Sequence, residues 1–422
     1  MKVTVLGAAG EVGRSGFLVE HNGTRILMDY GVMFERRREP PKFPLPVQSR
    51  GLAGVIITHA HLDHSGNVPS LYQTGDVDAY ATDPTFDLSE LLIKDMLKLQ
   101  KSRQYPFGQP ELYNMIRNAI PLEYGQSVRK GDISFELRRS GHVVGGATVL
   151  AEGGGKRVFY TGDVKIPGSR LLQEADMDIG EIDLLITEST YSQTEQVPRE
   201  ESERGLVEFA NEIMDNKGVL FIPSFSVERA QEMLCILKAA GFKHRIIMDG
   251  MALKVNEILL RHPRFHRDPD TFRDAVESAV SVRHHEDRKR LIKEPCVVIS
   301  PAGMLVGGNA VFYLQELATD KRNGIAMVSY QGEDTPGRRL LDEGKVSYRG
   351  NDHTVTAEVR QFQFSGHSDR RDLFDMVRRI RGNPKVLTVH GDQDSCTMFA
   401  EQIRQEFGLE AEAAQAGQTV QA

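Results

Sequence analysis

Nine residues, THAHLDHSG at positions 58–66, constrain the fold of this chain more than any other feature. They place three histidines and one aspartate in six consecutive positions, directly after the apolar run LAGVIIT. Side chains two apart on an extended segment point the same way, so His59 and His61 can bind one ion together. Asp63 and His64 follow as the chain turns and can face a second ion. Burying these groups together without metal would be expensive, so the motif predicts a two-metal site.

The remaining ligands of two such sites are expected in loops that follow other strands. His142 lies in SGHVVGG, Asp163 in TGD and His390 in VHGD, all at or near predicted strand ends. The predicted ligands therefore form two sets that share Asp163: His59, His61 and His142 for site one, and Asp63, His64 and His390 for site two.

The chemistry of these ligands favours zinc. Imidazole and carboxylate groups suit Zn²⁺. Two zinc ions roughly 3.5–4 Å apart ionise water at neutral pH and stabilise charge on the attacked group. Phosphoester hydrolysis is the commonest use of this arrangement, so we expect a hydrolase with two Zn²⁺ per chain. Asp29, which ends a strand beside Gly31, is expected to orient a ligand or the metal-bound water.

Length and composition exclude several other classes of protein. The 422 residues favour two domains, and no apolar stretch approaches the roughly 20 residues that cross a membrane. The N-terminus lacks the pattern of a signal peptide and the three cysteines lie far apart, so we expect a reducing cytoplasm. The net charge of −7 argues against non-specific coating of nucleic acid. Clustered arginines nevertheless leave an anionic partner open: Arg36-Arg37-Arg38, Arg138-Arg139, Arg338-Arg339, Arg370-Arg371, and Arg378-Arg379 with Arg381.

The pattern of predicted elements changes after about residue 194. Short strands and turns precede this point, together with a predicted helix over 85–102 that Thr85 could cap. Helices and strands alternate after it, which is typical of a parallel sheet in a separate α/β domain. The Ala/Gln-rich tail, 411–422, is of low complexity and is expected to be frayed.

Taken together, the motifs resemble those of the metallo-β-lactamase superfamily and, within it, the β-CASP nucleases. The resemblance covers essentially the whole chain, and it is strongest to the short, KH-less archaeal relatives of the cleavage and polyadenylation specificity factor nuclease. Its most specific marks occur in family order: THAHLDHSG, GHVVGGA, YTGD, LITEST, FSGHSD and TVHGD. The segments PSFSVERAQE, SPAGML and SYQGEDTPGR strengthen it.

The resemblance implies an α/β fold, a four-layer αβ/βα sandwich with an inserted β-CASP domain that caps the metal cleft. The implied bounds are 1–193 and 366–422 for the sandwich and 194–365 for the insertion. The family's additional motifs fall on Glu188, His367 and His390. His367 would protonate the leaving 3′ oxygen, and Glu188 would hold that imidazole charged and oriented. The alternatives are a helix cap or a strand-end surface residue for Glu188, and a helix cap for His367.

The implied function is that of a zinc-dependent ribonuclease in RNA processing or decay. It would cleave phosphodiester bonds with a two-metal hydroxide, as an endonuclease or a 5′→3′ exonuclease. Three alternatives stay open: a catalytically silent RNA-binding or processing-complex scaffold, a DNA-directed β-CASP nuclease, and a small-molecule hydrolase. The expected partners are single-stranded RNA, subunits of a processing complex and a second copy of the chain. The apolar strand and helix within 383–410 could form that dimer contact or could be ordinary core.

Candidate substrate contacts lie in the second domain. SPAGML, followed by two glycines before a helix, offers Ser300, Gly303 and Gly307 either as a phosphate cradle or as a plain turn. Arg229 and Arg338 could pair with backbone phosphates, because an arginine fork matches phosphate oxygens.

Two departures from the family pattern bear on RNA affinity and substrate choice rather than on catalysis. Glu228 stands where the family usually has glycine, before the arginine of a GRAQE pattern. Glu333 and Asp334 add negative charge to the SYQ segment. No metal-site position departs from the pattern.

Overall fold

The computed structural model describes residues 1–34, 39–99, 105–348 and 350–422. Contacts divide the chain into two compact units. Unit 1 comprises Met1–Gly168, Glu174–Glu195 and His367–Ala422, and unit 2 comprises Ser169–Gln173 and Gln196–Gly366. The cluster Arg36-Arg37-Arg38 and the end of the helix predicted over 85–102 lie outside the described residues.

Unit 1 contains two seven-stranded sheets. The first has the order β22-β1-β2-β3-β4-β5-β6. Its strands are β1 (Lys2–Val5), β2 (Phe17–His21), β3 (Thr24–Met28), β4 (Gly54–Ile56), β5 (Ala79–Ala81), β6 (Ala119–Pro121) and β22 (Thr419–Gln421). The second has the order β21-β20-β11-β10-β9-β8-β7. Its strands are β7 (Ser127–Lys130), β8 (Ile133–Arg139), β9 (Ala147–Gly153), β10 (Lys156–Tyr160), β11 (Leu184–Glu188), β20 (Lys385–Val389) and β21 (Ala411–Ala413).

Alternating side chains place the core of unit 1 between these sheets. Val3 and Val5 of β1 point inward, as do Phe135 and Leu137 of β8, and all four are buried in one cluster. The outer faces are covered by helices. These are α1 (Leu62–Ser65), α2 (Asp83–Lys98) and α3 (Gln109–Arg117) on the first sheet, and α11 (Arg370–Arg379) and α12 (Gln393–Phe407) on the second. Unit 1 is therefore a four-layer αβ/βα sandwich, as predicted.

Unit 2 is an α/β domain built on one parallel sheet of order β14-β13-β15-β12-β16-β19. Its strands are β12 (Val219–Pro223), β13 (Ile246–Met248), β14 (Val280–Ser281), β15 (Cys296–Ser300), β16 (Gly324–Met327) and β19 (Glu358–Gln361), and β17 (Lys345–Tyr348) with β18 (Asn351–Thr354) forms a separate hairpin. Helices pack on both faces: α4 (Arg199–Asp215), α5 (Arg229–Ala239), α6 (Met251–Leu260) and α7 (Pro269–Ser278) on one, and α9 (Gly308–Leu317) and α10 (Pro336–Glu343) on the other. Helix α8 (His285–Leu291) has a largely exposed surface. Strands buried from both sides explain the continuous apolar runs.

Two local predictions were wrong. The tail 411–422 is not frayed, because β21 pairs with β20, β22 pairs with β1, and Val420 is buried. Helix α2 begins at Asp83, with Pro84 in its first turn, and Thr85 therefore lies inside the helix and does not cap it. The Thr85 hydroxyl donates to the Gly145 carbonyl oxygen, 3.0 Å away.

The short segment 169–173 belongs to unit 2 because a buried carboxylate holds it there. Glu232 accepts hydrogen bonds from the backbone N–H groups of Arg170 (2.9 Å) and Leu171 (2.8 Å) and pairs with the guanidinium of Arg199. Burial alone would raise the pKa of Glu232, but Arg199 and the two N–H groups hold it below its usual value.

Candidate metal centre

The structure brings all the predicted metal ligands together in unit 1. They come from turns at strand ends: after β4, between β8 and β9, after β10 and after β20. Two groups have ligand atoms within 4.8 Å of one another: His59, His61, His142 and Asp163 in the first, and Asp63, His64, Asp163 and His390 in the second.

In the first group the ligand nitrogens converge on one oxygen of Asp163. His61 Nδ1 lies 3.1 Å from His142 Nε2. His59 Nε2 lies 3.5 Å from Asp163 Oδ2, and His142 Nε2 lies 3.6 Å from the same oxygen. Tetrahedral zinc with ligands at 2.0–2.1 Å separates its ligand atoms by about 3.3 Å. These spacings therefore fit one zinc ion.

The second group uses the other oxygen of the same carboxylate. Asp163 Oδ1 lies 3.2 Å from His64 Nε2 and 3.2 Å from His390 Nδ1. Asp63 Oδ2 lies 3.3 Å from His390 Nε2 and 4.0 Å from His64 Nε2. Among the described residues, the buried atoms Asp163 Oδ1 and His59 Nε2 have no hydrogen-bond partner. Buried polar atoms of this kind call for a ligand, so the donor set fits a cation in each group.

Asp29 is buried beneath the second group and orients one of its histidines. Asp29 Oδ2 accepts the Nδ1–H of His64 at 2.7 Å, which leaves His64 Nε2 free to face a metal. The backbone N–H and hydroxyl of Thr58, each at 2.8 Å, and the hydroxyl of Tyr160 at 2.9 Å also donate to Asp29. The hydrogen bond to His64 is the geometry expected of a residue that orients a metal ligand.

Glu188 and His367 form a hydrogen-bonded pair beside Asp163. The Nδ1–H of His367 donates to Glu188 Oε2 at 2.8 Å, and the backbone N–H of Val164 donates to Oε1 at 2.7 Å. His367 Nε2 lies 3.9 Å from Asp163 Oδ2. These three residues also form a group within metal-ligand reach. However, 2.8 Å is the length of a hydrogen bond with a proton between the atoms, so we assign Glu188 and His367 to each other. Glu188 ends its strand fully buried, so it is not a surface residue. Asp369 caps helix α11, so His367 is not the cap of that helix.

The charges of the centre are set by burial and by neighbouring carboxylates. Burial alone would lower the pKa of His367, but Glu188 and then Asp163 raise it to about 9. Burial lowers the pKa of His59 and of His61. Burial would likewise lower the pKa of His64, but Asp163 and Asp29 raise it well above its ordinary value. A cation binding to His64 must therefore displace a proton.

Three family models match successive parts of the chain. Residues 24–220 match the model of the beta-lactamase superfamily domain, 230–340 that of the Beta-Casp domain, and 352–414 that of the Zn-dependent metallo-hydrolase RNA specificity domain. RNase aCSPSF2 of Saccharolobus solfataricus is 33% identical over 420 residues, which cover 99% of this chain and 84% of that protein. The chain belongs to the β-CASP metallo-β-lactamase family.

Two other relatives of this β-CASP chain are named as a probable RNase and as a transcription termination factor. Probable RNase MJ4 of Methanocaldococcus jannaschii is 33% identical over 94% of this chain and 95% of that protein. The transcription termination factor FttA of the same organism is 35% identical over 96% of this chain and 69% of that protein. The crystal structure of a protein of unknown function from Enterococcus faecalis V583 covers 99% of both chains with a TM-score of 0.66 at 15% identity, which shows the fold alone. The predicted family, fold and class of metal-dependent hydrolase are confirmed.

The substrate contacts predicted for the β-CASP domain occupy different environments in unit 2. Arg229 is buried and lies 3.3 Å from the carboxylate of Glu228, and Ser300 and Gly303 are also buried. Gly307 precedes α9 with open space around it, and no side chain caps that helix. Arg338 is partly exposed and pairs with Asp342 at 2.8 Å. Gly307 and Arg338 are thus the more accessible of the five.

Within the described residues, no helix is long and apolar enough to span a bilayer.

Sequence analysis missed the residues that support the ligands. Thr58 and Tyr160 hold Asp29, the Ser15 N–H donates to the Asp63 carbonyl oxygen at 2.8 Å, and the Thr190 hydroxyl donates to the His390 carbonyl oxygen at 3.0 Å. Thr58 directly precedes the histidine cluster and Thr190 follows Glu188 by two positions. For Thr58 and Thr190, closeness in sequence to the motifs is the only signal that could have pointed to a supporting role.

Proposed function

We propose that this β-CASP chain is a zinc-dependent ribonuclease that hydrolyses phosphodiester bonds of RNA. The observation that carries the proposal is the position of Asp163, which offers one carboxylate oxygen to each ligand group and lies beside the Glu188–His367 pair. Two metal positions and one proton donor suit phosphodiester hydrolysis, which needs an activated nucleophile and a proton for the leaving oxygen. The RNA specificity domain and the relatives named as RNases support RNA as the substrate.

Each ligand group holds one zinc in this proposal, giving two per chain. Zinc bound there supplies a hydrolytic nucleophile at neutral pH and stabilises negative charge on the attacked phosphate. His59 and His61 of the first group are neutral ligands, because burial keeps the pKa of both imidazoles low. Asp63 acts as a ligand of the second group, and Asp29 acts through His64 without touching the substrate.

His367 supplies the proton that the leaving oxygen needs. With a pKa raised to about 9, its imidazole is protonated at neutral pH. Nδ1–H is held by Glu188, so Nε2–H is the proton available for transfer. Once that proton has left, the hydrogen bond to Glu188 keeps the neutral ring in the same orientation and favours reprotonation.

The proposal also covers the domain bounds, the mode of RNA cleavage, the cellular location and the partners. Unit 1 is the metallo-β-lactamase domain, predicted over 1–193 and 366–422, and unit 2 is the β-CASP domain, predicted over 194–365. The substrate is single-stranded RNA, cut internally or trimmed from the 5′ end, and Gly307 and Arg338 contact its phosphates. The enzyme acts in the cytoplasm as a homodimer and with subunits of an RNA-processing complex. Because the apolar residues of α12 pack into the core, a dimer contact there would use exposed positions such as Met398.

The test is cleavage of end-labelled single-stranded RNA by the wild type and by His367→Ala, with zinc measured on both. The matched control is His244→Ala, an exposed histidine of unit 2. We expect internal or 5′-directed cleavage that falls by about 100-fold or more in His367→Ala and is unchanged in the control. Both variants should bind two zinc ions.

The alternatives have their own outcomes. A zinc-loaded wild type that binds RNA but cuts neither RNA nor DNA would identify a scaffold and overturn the proposal. Cleavage of single-stranded DNA but not RNA would identify a DNA nuclease.

A further inference from the structure

Two exposed aromatic side chains stand at the carboxyl edge of the parallel sheet in unit 2. Phe225 follows β12 and is 37% exposed, and Tyr330 follows β16 and is 59% exposed. Among the described residues of unit 2, these are the most exposed aromatic side chains. Strands β12 and β16 are hydrogen-bonded neighbours, so the two loops leave the sheet side by side. In open α/β sheets, ligands bind at the carboxyl ends of the strands.

A third loop, which follows β15 and contains Gly303, packs against the loops that carry Phe225 and Tyr330. A side-chain atom at Gly303 would lie 2.7 Å from the Ser329 hydroxyl oxygen and 3.0 Å from the Phe225 nitrogen, so the glycine is required for this close approach. The side-chain amide of Gln331 donates to the carbonyl oxygens of Gly303 at 2.9 Å and Ser329 at 2.8 Å. The backbone on both sides of Tyr330 is therefore held in place while its ring stays in solvent.

We propose that Phe225 and Tyr330 form a platform on which bases of single-stranded RNA stack, with Arg338 contacting an adjacent phosphate. This inference rests on the proposed function. Gly337, which directly precedes Arg338, packs against the side chain of Gln331, so the helix that carries Arg338 begins beside the loop that carries Tyr330. The ion pair between Arg338 and Asp342 is a partly exposed pair within one helix, and such pairs are weak enough for a phosphate to compete.

The small apolar area of the surface favours RNA over a protein partner. The apolar area consists of two rings and Val306, which is 42% exposed, whereas a stable protein interface buries about 800 Å² on each partner. Glu333 and Asp334 are exposed on the same loop, so the surface is poor in positive charge. The binding energy must then come from stacking, which every base can provide because each has a flat aromatic face. The platform should therefore bind RNA with little sequence preference.

The experiment compares Tyr330→Leu, Phe225→Leu and the double variant with the wild type, using the full zinc-loaded chain. The probes are a short single-stranded RNA containing 2-aminopurine and an abasic oligonucleotide of the same length. Tyr113→Leu is the matched control, because Tyr113 is 63% exposed on α3 in unit 1. Stopped-flow mixing gives the fluorescence change and the Kd before products accumulate, and thermal unfolding verifies that each variant is folded.

We expect each platform variant to raise the Kd for RNA by about 5-fold or more and to reduce the quenching of 2-aminopurine. The Kd for the abasic oligonucleotide and the Kd of the control variant should not change. An RNA affinity that is equal in the double variant and the wild type would overturn the platform, as would an equal loss for the abasic probe. A change in oligomeric state without a change in RNA affinity would identify a protein contact and also overturn it. If the wild type neither binds nor cuts RNA, the proposed function itself fails.

Discussion

Replacing Asp29 by asparagine should weaken one zinc site and spare the other. Asp29 Oδ1 faces the backbone N–H of Thr58, a fixed donor, and Oδ2 faces the hydroxyls of Thr58 and Tyr160 and the Nδ1–H of His64. The amide oxygen of the Asp29→Asn variant must take the position of Oδ1, because an amide NH₂ there would oppose a buried N–H. The NH₂ group then faces His64 Nδ1, which can accept only if its proton moves to Nε2.

A proton on His64 Nε2 occupies the nitrogen that faces the second metal position. Loss of a carboxylate that orients a ligand typically costs 10- to 100-fold in metal affinity, or about 1.4–2.7 kcal/mol. The first group contains no His64 nitrogen and shares only Asp163 with the second group, so its zinc affinity should fall by less than that of the second group. Asp29→Asn should therefore retain about one zinc per chain at limiting metal, where the wild type retains two.

Competition titration with a chromogenic zinc chelator measures both affinities, and mass spectrometry counts the bound ions. Tyr160→Phe is the matched control, since it removes one donor to Asp29 but leaves the His64 tautomer unchanged. The reasoning is refuted if Asp29→Asn binds its weaker zinc as tightly as the wild type, or if Tyr160→Phe loses that zinc equally.

Three further predictions concern charge and strain. Glu188→Gln removes the main group that raises the pKa of His367, so the alkaline limb of kcat against pH should move down by roughly 1–3 pH units at unchanged zinc content. An unmoved limb would exclude His367 as the titrating acid. Glu232→Gln should lower the free energy of unfolding by about 3 kcal/mol at neutral pH, measured by urea titration. Because the folded pKa of Glu232 is depressed, its stabilisation exists above the unfolded pKa, and the deficit must shrink as the pH falls below about 4. Glu228→Gly should raise the thermal unfolding midpoint by about 2–4 °C, because Glu228 adopts φ 70° and ψ −59°, a strained conformation for a residue with a side chain. This γ-turn is closed by a hydrogen bond from the Arg229 N–H to the Val227 carbonyl oxygen. A lower midpoint would mean that the carboxylate of Glu228 stabilises the fold by more than the strained backbone destabilises it.

The ligand set could be predicted from sequence because each ligand sits in a short motif at a strand end. His59 and His61 are two apart, and the glycines around His142 and Asp163 mark close turns. The groups that orient these ligands could not be predicted. Tyr160 is 131 positions from Asp29, and their contact depends on the packing of two different sheets. A buried tyrosine in a strand looks like any other core residue until its hydroxyl partner is known.

The same limit explains the errors at the chain's end and in helix α2. Low complexity predicted fraying of 411–422, yet the edge of each sheet in unit 1 offered unpaired backbone groups that this tail satisfies. Thr85 has the chemistry of a helix cap, but Gly145 from another part of the chain takes its hydroxyl. In both cases a partner distant in sequence overrides a local preference.

The metal centre itself couples zinc to the stability of unit 1. His59, His64, His142 and Asp163 are all nearly inaccessible to solvent, and Asp29 and His390 adopt positive φ angles of 57° and 48°, which side chains disfavour. Burial favours a neutral His59 and the carboxylates favour a charged His64, and the buried atoms His59 Nε2 and Asp163 Oδ1 have no hydrogen-bond partner among the described residues. In the proposed two-zinc centre, cations at the two positions would replace protons and would give each of these atoms a partner. Zinc binding is then folding free energy for unit 1, and complete removal of zinc by a chelator should cost less stability at low pH, because protons that compete for the histidines already weaken zinc binding there.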